Sequence, residues 1–457
     1  MSTAFVVSAV ALAAASVVGL LTAADVALGV GLFVACCYAP LVLVDLPLGL
    51  ALWVGFVFIE HLPAVSVGPT VAAILVALAW FGTLGARREA IDAIVKRHRR
   101  MFAAAIVLLV WLSMSALWAR DAGLVGSDVW TWYVSIFTLV IVATTIATPG
   151  QVRLVLAAFV GGAVVSVVIG LLASGLTSDG TAIDSATSVD GRLQGGGGDP
   201  NYLAAGLVPA IVLAGALMGQ FRDPVIRWLL CVAIVISGVG LAATQSRGGL
   251  IAAALTVIAA LACYRRRAGT AVVLGLIVVA LGAWFSVNPQ AWNRITDFDD
   301  GGTGRGDLWA VGWEIFQDHP VHGAGLNNFR AESFRYVRRP GELKRVDLIA
   351  ERPDIVHNTY LQLLVETGLV GLVLFMALVL ACLRAGWSAA RRFDVAGQRA
   401  LSDLTRAIIV ASIGMLAASF FISNGTDSRL WVLLALGPGL LGIAVRQGGG
   451  ESPTPAV

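Results

Sequence analysis

The chain has 457 residues, of which 58% are hydrophobic and only 13% are charged, and its formal net charge is +3. A soluble domain carries about 25% charged residues, whereas here apolar runs long enough to cross a bilayer core of roughly 30 Å recur from end to end. The composition therefore excludes a soluble protein and a soluble domain with one anchor. It predicts an all-α polytopic membrane protein.

The hydropathy pattern predicts about 12–14 transmembrane helices. The first run lacks a basic segment before it, so it is interpreted as a membrane helix and not as a cleaved signal peptide. In chain order the predicted spans are 4–22, 26–44, 46–60, 64–85, 101–118, 129–148, 152–174, 201–219, 226–245, 249–264, 270–287, 359–383, 406–423 and 430–446.

Basic residues between the spans predict the orientation. Arginines and lysines cluster in 86–100, and further arginines lie in 222–227, 265–267 and 384–406. All of these fall on one side of the predicted membrane, which the positive-inside rule assigns to the cytoplasm together with both termini. The opposite, extracytoplasmic side then holds segments 119–128, 175–200, 245–249, 288–358 and 424–429.

The long loop 288–358 divides the chain. It is preceded by N-terminal helices with a basic cytoplasmic loop (1–100) and by central helices (101–287). It is followed by C-terminal helices (359–446) and by a Gly- and Pro-rich tail (447–457) that is predicted to be disordered. The loop carries eight arginines and one lysine against eleven acidic residues. Its arginines lie outside the cytoplasm and are not topology signals, so we expect this loop to carry the catalytic or binding site.

Two arginines are candidates for binding an anionic group. Arg247 lies in Thr-Gln-Ser-Arg-Gly-Gly between two spans, where neighbouring glycines leave room for a ligand. Arg305 precedes an apolar helical pattern that predicts an amphipathic helix on the membrane, with Asp307 on its polar side, ending near Pro320. A guanidinium suits a diphosphate because it can donate two charge-assisted hydrogen bonds at once. An interfacial arginine or an ion pair with a loop carboxylate is the alternative for each.

His357 ends the loop and begins the next span. An imidazole can take a proton near neutral pH, so His357 at the membrane boundary is a candidate general base for an acceptor hydroxyl. Asn358 and Tyr360 flank it and are expected to orient it. The alternative is a helix-capping or interfacial histidine.

No metal or cofactor is expected. His319 and His322 are separated by a proline and no third ligand is evident, and the aspartates at 297–300 are interpreted as a solvated acidic run. Few ionisable residues fall inside the spans, whereas ion-coupled transporters place such residues at mid-membrane.

The ordered set of motifs resembles the O-antigen ligase and polymerase family of bacterial membrane glycosyltransferases. The matching pieces are Gly-Asp-Pro-Asn-Tyr-Leu-Ala (198–204), Ser-Arg-Gly-Gly (246–249), Gly-Arg-Gly-Asp-Leu-Trp (304–309), His-Gly-Ala-Gly-Leu-Asn-Asn-Phe (322–329), His-Asn-Thr-Tyr-Leu-Gln (357–362) and Glu-Thr-Gly (366–368). They cover about 195–385, and the first 190 residues resemble the family only in hydropathy.

This resemblance implies a GT-C-type fold and a glycan moved from a polyprenyl diphosphate carrier to an acceptor on the outer face of the bacterial cytoplasmic membrane. It implies that Arg247 and Arg305 hold the donor diphosphate and that His357 is the general base, with Asn201, Asp307, Asn358 and Tyr360 in support. The implied chemistry is inverting and metal-independent. The expected partners are the lipid-linked donor, a glycan, lipid or protein acceptor and membrane lipids, but not nucleic acid.

Three alternatives remain open. The shared motifs do not separate a ligase from a glycan polymerase or a protein O-oligosaccharyltransferase. A transporter or flippase for a lipid-linked glycan would also explain many spans and arginines near the headgroups. A relative of the shape and division peptidoglycan polymerases would depend on a loop aspartate, for which Asp307 and Asp354 are the candidates.

Overall fold

The computed structural model describes most of the predicted helical regions. The described residues are 25–62, 65–176, 188–189, 191–264, 305–336 and 355–448, with isolated positions between 19 and 22 and between 275 and 286. The predicted spans at 4–22 and 270–287, the aspartates at 297–300, Asp354 and most of the tail lie outside these ranges.

The described chain is built from helices. They are α1 (Val26–Val44), α2 (Leu46–Phe56), α3 (Val67–Arg97), α4 (Arg99–Met114), α5 (Ala122–Thr145), α6 (Pro149–Leu176), α7 (Pro200–Met218), α8 (Pro224–Ala243), α9 (Arg247–Cys263), α10 (Arg305–Asp318), α11 (Phe329–Ser333), α12 (Thr359–Val395), α13 (Arg399–Ala418) and α14 (Ser428–Gly448). Single 3₁₀ turns, Val57–Ile59 and Ser115–Leu117, extend α2 and α4. A two-stranded antiparallel ladder pairs β1 (Ser188–Val189) with β2 (Arg192–Leu193).

Nine of the described helices are long and apolar enough to cross a membrane, and three shorter apolar helices accompany them. Twelve of the predicted spans coincide with these helices. In hydrocarbon every backbone polar group must be paired within the protein, which a helix does along its own length. The prediction of an all-α polytopic membrane protein is confirmed.

Short polar side chains fix where several helices begin. Asp45, Asp121, Asp199, Asp223 and Ser246 each accept a hydrogen bond from a backbone N–H in the first turn of the following helix. Such a cap pairs N–H groups that have no partner within the helix. Proline in the first turn of α7 and α8 adds to the signal, since proline lacks an N–H and already has the backbone angle that a helix needs.

Helices α13 and α14 form the centre of the bundle. Leu430, Trp431 and Leu436 of α14 are fully buried. Where α14 crosses α12, a Cβ added at Gly437 would lie 2.4 Å from the Cys382 carbonyl oxygen, so glycine allows the two backbones to touch. Close approach through small residues is the usual way in which helices associate in a membrane, where the apolar solvent provides no hydrophobic drive.

Helix α12 is broken near its start. Gly368 has φ 67° and ψ −172°, which interrupts the helical backbone one residue after the buried Thr367. Segment 320–325 lies against this break: the Leu369 N–H donates to the Pro320 carbonyl oxygen (2.9 Å), and the Gly325 N–H donates to that of Glu366 (2.8 Å). The Trp111 indole N–H donates to the Thr367 carbonyl oxygen (2.9 Å), so backbone groups freed by the break are paired. The break thus anchors the middle of the long loop to the bundle.

Candidate functional site

His357 lies in the last turn of backbone before α12. It is half-buried, and its φ of 52° places it in the left-handed region that non-glycine residues seldom occupy. Asn358 is the cap of α12 and accepts hydrogen bonds from the Tyr360 N–H (3.0 Å) and the Leu361 N–H (3.1 Å). The Tyr360 hydroxyl donates to the Leu416 carbonyl oxygen (2.6 Å), which ties α12 to α13. Asn358 and Tyr360 therefore fix the backbone that carries His357.

The turn 419–424, between α13 and α14, holds the first residue of α12. The Thr359 N–H donates to the carbonyl oxygens of Ser419 (2.9 Å) and Ile422 (3.0 Å). The Asn424 N–H donates to the Thr359 hydroxyl (2.9 Å). All of these groups are buried, so the position of His357 is set by residues that lie far away in the sequence.

Arg247 is the first residue of α9 and is half-buried. Gln245, two residues earlier, has φ 48°, which turns the chain sharply into the helix. The Ser246 hydroxyl accepts from the Gly249 N–H (3.1 Å) and donates to the side-chain oxygen of Asn201 (2.8 Å). Asn201 thus fixes the helix start that presents Arg247.

The Arg247 and His357 segments meet at the same turn. A Cβ added at Gly248 would lie 2.5 Å from the Cβ of Phe421, so only glycine lets α9 begin this close to turn 419–424. The Tyr202 hydroxyl, one residue from Asn201, donates to the Ser423 carbonyl oxygen. Turn 419–424 therefore joins the two segments.

Arg305 is brought to this region by α10. Leu308, Val311 and Ile315 are buried in one cluster with Val356 and Val365. The Trp309 indole N–H donates to the carbonyl oxygen of Val356 (2.9 Å), which is the residue before His357. Arg305 lies one turn before Trp309, at the N-terminus of α10, where Asp307 also lies.

The predicted helix after Arg305 is confirmed, and it ends at Asp318 before Pro320. The apolar face of this helix is partly covered by the protein. Leu308 and Ile315 of the apolar face pack within the protein, against residues at and before the start of α12, whereas Trp313 is half-exposed. Helix α12 supplies an apolar surface of its own, so the protein covers part of this face.

His319 and His322 lie near each other, with ring centroids 5.6 Å apart. The His322 ring Nδ1 lies 2.7 Å from the carbonyl oxygen of Gly323. The described residues hold no group of three histidine, cysteine or acidic side chains that could bind a metal ion.

Several polar residues at this end of the bundle were not singled out in the sequence. Arg192 donates from Nη2 to the Asn201 side-chain oxygen (3.0 Å) and from Nε to the Thr244 carbonyl oxygen (2.9 Å). Glu60, Asp427 and Arg429 form a second cluster, in which burial raises the pKa of Glu60 to about 7 although Arg429 lowers it. In the sequence, these four residues share one feature: each lies in a segment at the predicted outer end of a span.

Residues 232–376 match the family model described as O-antigen ligase. This segment of the chain is therefore similar to an O-antigen ligase domain. This confirms the resemblance carried by the motifs, and the matched segment includes Arg247, Arg305 and His357. No curated protein matches the chain.

The domain supports a general glycosyltransferase function with lipid-linked glycan substrates. Together with the apolar helices, it indicates a multi-pass bacterial membrane protein.

Proposed function

We propose that the protein is an inverting, metal-independent glycosyltransferase with a GT-C-type plan. It transfers a glycan from polyprenyl diphosphate to an acceptor hydroxyl on the outer face of the cytoplasmic membrane. The observation that carries the proposal is that the helix starts carrying Arg247, Arg305 and His357 are joined to one another through neighbouring residues. Each lies at or beside the N-terminus of a helix, and all three helix starts are tied to turn 419–424 or to the start of α12.

In the proposed reaction, the His357 imidazole takes the proton of the acceptor hydroxyl. The hydroxyl oxygen forms a bond to the anomeric carbon as the bond from that carbon to the diphosphate oxygen breaks, with inversion at carbon. Arg247 and Arg305 bind the diphosphate and stabilise the negative charge of the leaving group. The N-termini of α9 and α10 favour an anion at the same place through their backbone N–H groups. A diphosphate is already a good leaving group, so orientation and charge stabilisation supply most of the catalysis.

The test compares wild type with His357→Ala in liposomes that contain a polyprenyl-diphosphate-linked glycan, a lysate-derived acceptor pool and EDTA. We expect wild type to release polyprenyl diphosphate with transfer of the glycan. Loss of a general base should slow transfer by about 10²- to 10⁴-fold, with donor binding retained. His319→Ala is the matched control, since it removes a histidine of the same loop.

Arg305→Lys tests the diphosphate role. Lysine keeps the charge but loses the planar fork, so we expect transfer to fall by about 10- to 100-fold, whereas Arg330→Lys, at an exposed position of α11, leaves it unchanged. Wild-type transfer rates in both His357→Ala and Arg305→Lys would refute the proposal. Movement of the donor across the bilayer without product would favour the transporter hypothesis.

A further inference from the structure

A second polar cluster lies between the 3₁₀ turn after α2, helix α7 and the start of α14. At its centre is Arg429, whose side chain is only 5% exposed. Its guanidinium carbon lies over the Phe58 ring, 5.2 Å from the ring centroid. A buried guanidinium must have its hydrogen-bond donors paired to be tolerated.

Asp427 pairs part of this guanidinium. Its carboxylate accepts from Arg429 Nε (2.9 Å) and from Nη2 (2.6 Å). Nη1 has no hydrogen-bond partner among the described residues. A Cβ added at Gly206 would lie 2.8 Å from Nη1, so glycine at this position of α7 leaves room for that nitrogen.

Two further side-chain groups, five and six residues before Arg429 in the chain, share this condition. Ser423 Oγ and Asn424 Nδ2 are buried and have no hydrogen-bond partner within the described part of the chain. All three unpaired groups can donate a hydrogen bond. Leaving several buried donors unpaired is costly, which indicates that an oxygen-bearing group completes the cluster.

Glu60 provides an acceptor on the accessible side. Its carboxylate interacts electrostatically with Arg429, yet the two make no direct ion pair. The Glu60 side chain is 41% exposed and that of His61 is 54% exposed. A Cβ added at Gly198 would lie 2.6 Å from the His61 ring. The cluster is therefore open on the side of Glu60 and His61 and closed on the side of Arg429.

We propose that Glu60 and Arg429, with Asn424, form a subsite for a sugar of the glycan substrate. A sugar hydroxyl can accept a hydrogen bond from Arg429 Nη1 and donate one to the Glu60 carboxylate, which is the combination that the cluster offers. A fully ionised phosphate cannot donate in this way, and it would meet the negative charge of Asp427, and that of Glu60 where Glu60 is ionised, against one guanidinium. The charge balance thus favours a neutral polyhydroxyl group.

The subsite adjoins the proposed reaction centre. Tyr202 links the two, because its hydroxyl donates to the Ser423 carbonyl oxygen and the preceding residue, Asn201, accepts from Ser246 beside Arg247. The proposal rests on the proposed function in assuming that the substrate carries a glycan. The sugar can belong to the donor or to the acceptor, and the experiment separates the two sources.

The experiment measures how the full-length protein in detergent binds two probes, a polyprenyl-diphosphate-linked glycan and polyprenyl diphosphate without sugar. We expect Glu60→Gln to weaken binding of the glycan-bearing lipid by about five- to tenfold, because the amide oxygen that replaces the carboxylate is a neutral and weaker acceptor, and to leave the sugar-free lipid unaffected. Glu89→Gln, an exposed carboxylate of α3, is the matched control. Thermal unfolding of both variants reports whether the fold is intact.

If Glu60→Gln changes neither donor affinity but raises the KM for the acceptor, the subsite holds an acceptor sugar and the proposal stands. If both donor affinities and the acceptor KM are unchanged, or if both lipids lose affinity equally, the proposal is overturned and the cluster holds only water. Wild type that binds the glycan-bearing lipid more tightly than the sugar-free lipid, but transfers nothing, would refute the proposed function and leave the subsite intact.

Discussion

At the scale of single residues, the candidate site is built from side chains that begin helices. Ser246 and Asn358 cap α9 and α12, and the residues beside them, Arg247 and His357, are the ones expected to meet the substrate. Gln245 and His357 adopt left-handed backbone. Such backbone costs about 1–2 kcal/mol in a non-glycine residue and persists where the surrounding contacts hold it, which is common at functional sites.

Glu60 gives a prediction about pH. Burial raises its pKa from 4.5 to about 7, so the folded protein holds a proton that the unfolded chain releases between these values. The stability that this proton confers is complete below about pH 4.5 and is lost as the pH rises through about 7. We expect the apparent Tm of wild type in detergent to fall over this range more than that of Glu60→Gln.

The comparison needs both proteins to be measured at the same ionic strength, since the side chain is partly exposed and its charge interactions are screened. Parallel curves of Tm against pH for wild type and Glu60→Gln between pH 4.5 and 7.5 would contradict the raised pKa of Glu60.

At the scale of elements, the break in α12 couples the loop to the bundle. Gly323 and Gly325 pack against Glu366 and Ala119, and Gly368 packs against the backbone of Val321. This explains why the Gly-Ala-Gly and Glu-Thr-Gly pieces occur together in the motif set: each supplies the backbone space that the other needs. Helix α10 then packs against the first turns of the same helix.

Gly368→Ala should therefore be strongly destabilising. A Cβ there would lie 2.1 Å from the Val321 carbonyl oxygen, and the backbone angles are ones that essentially only glycine adopts. Overpacking lowers the free energy of unfolding by about 1–3 kcal/mol, in addition to the cost of the strained backbone. We expect a lower apparent Tm and increased proteolysis of the loop.

Gly397→Ala is a comparison variant at a positive-φ position without the packing cost. Gly397 also has positive φ, at 73°, but no atom lies within 4 Å of its added Cβ. This variant should show the backbone cost of about 1–2 kcal/mol alone. If the two variants lose equal stability, the packing of segment 320–325 on α12 does not contribute as described.

At the scale of the whole molecule, charge distribution and site position agree. The basic segments 86–100 and 384–406 are expected in the cytoplasm, whereas Arg247, Arg305 and His357 are expected on the other side. Turn 419–424 and the start of α12 join the three segments that carry them. A lipid-linked donor and a polar acceptor would both be able to reach a site at one polar end of the bundle.

The orientation can be measured by cysteine labelling. In a variant with the five native cysteines replaced, we expect Ser127→Cys, at an exposed position of α5, to react with an impermeant maleimide in intact cells. Asp92→Cys, at an exposed position of α3, should react only after the membrane is permeabilised. The reverse pattern would place the proposed site in the cytoplasm.

The sequence predicted the helical class and the similarity to the O-antigen ligase family because both depend on local patterns. Apolar runs of bilayer length specify helices wherever they occur, and twelve predicted spans coincide with described helices. The motifs around Arg247, Arg305 and His357 fall in the segment that matches the O-antigen ligase model. The roles of these three residues remain predictions.

Only the tertiary structure decided which residues share a site. Nothing in the sequence near Glu60 indicates that it interacts electrostatically with Arg429, because their proximity depends on how α2, α7 and α14 pack. The link from Arg192 through Asn201 to Ser246, and the packing of Leu308 and Ile315 of α10 within the protein, are decided in the same way. Hydropathy and capping act over one or two turns of chain, whereas the site is made by hydrogen bonds and packing between segments far apart in the sequence.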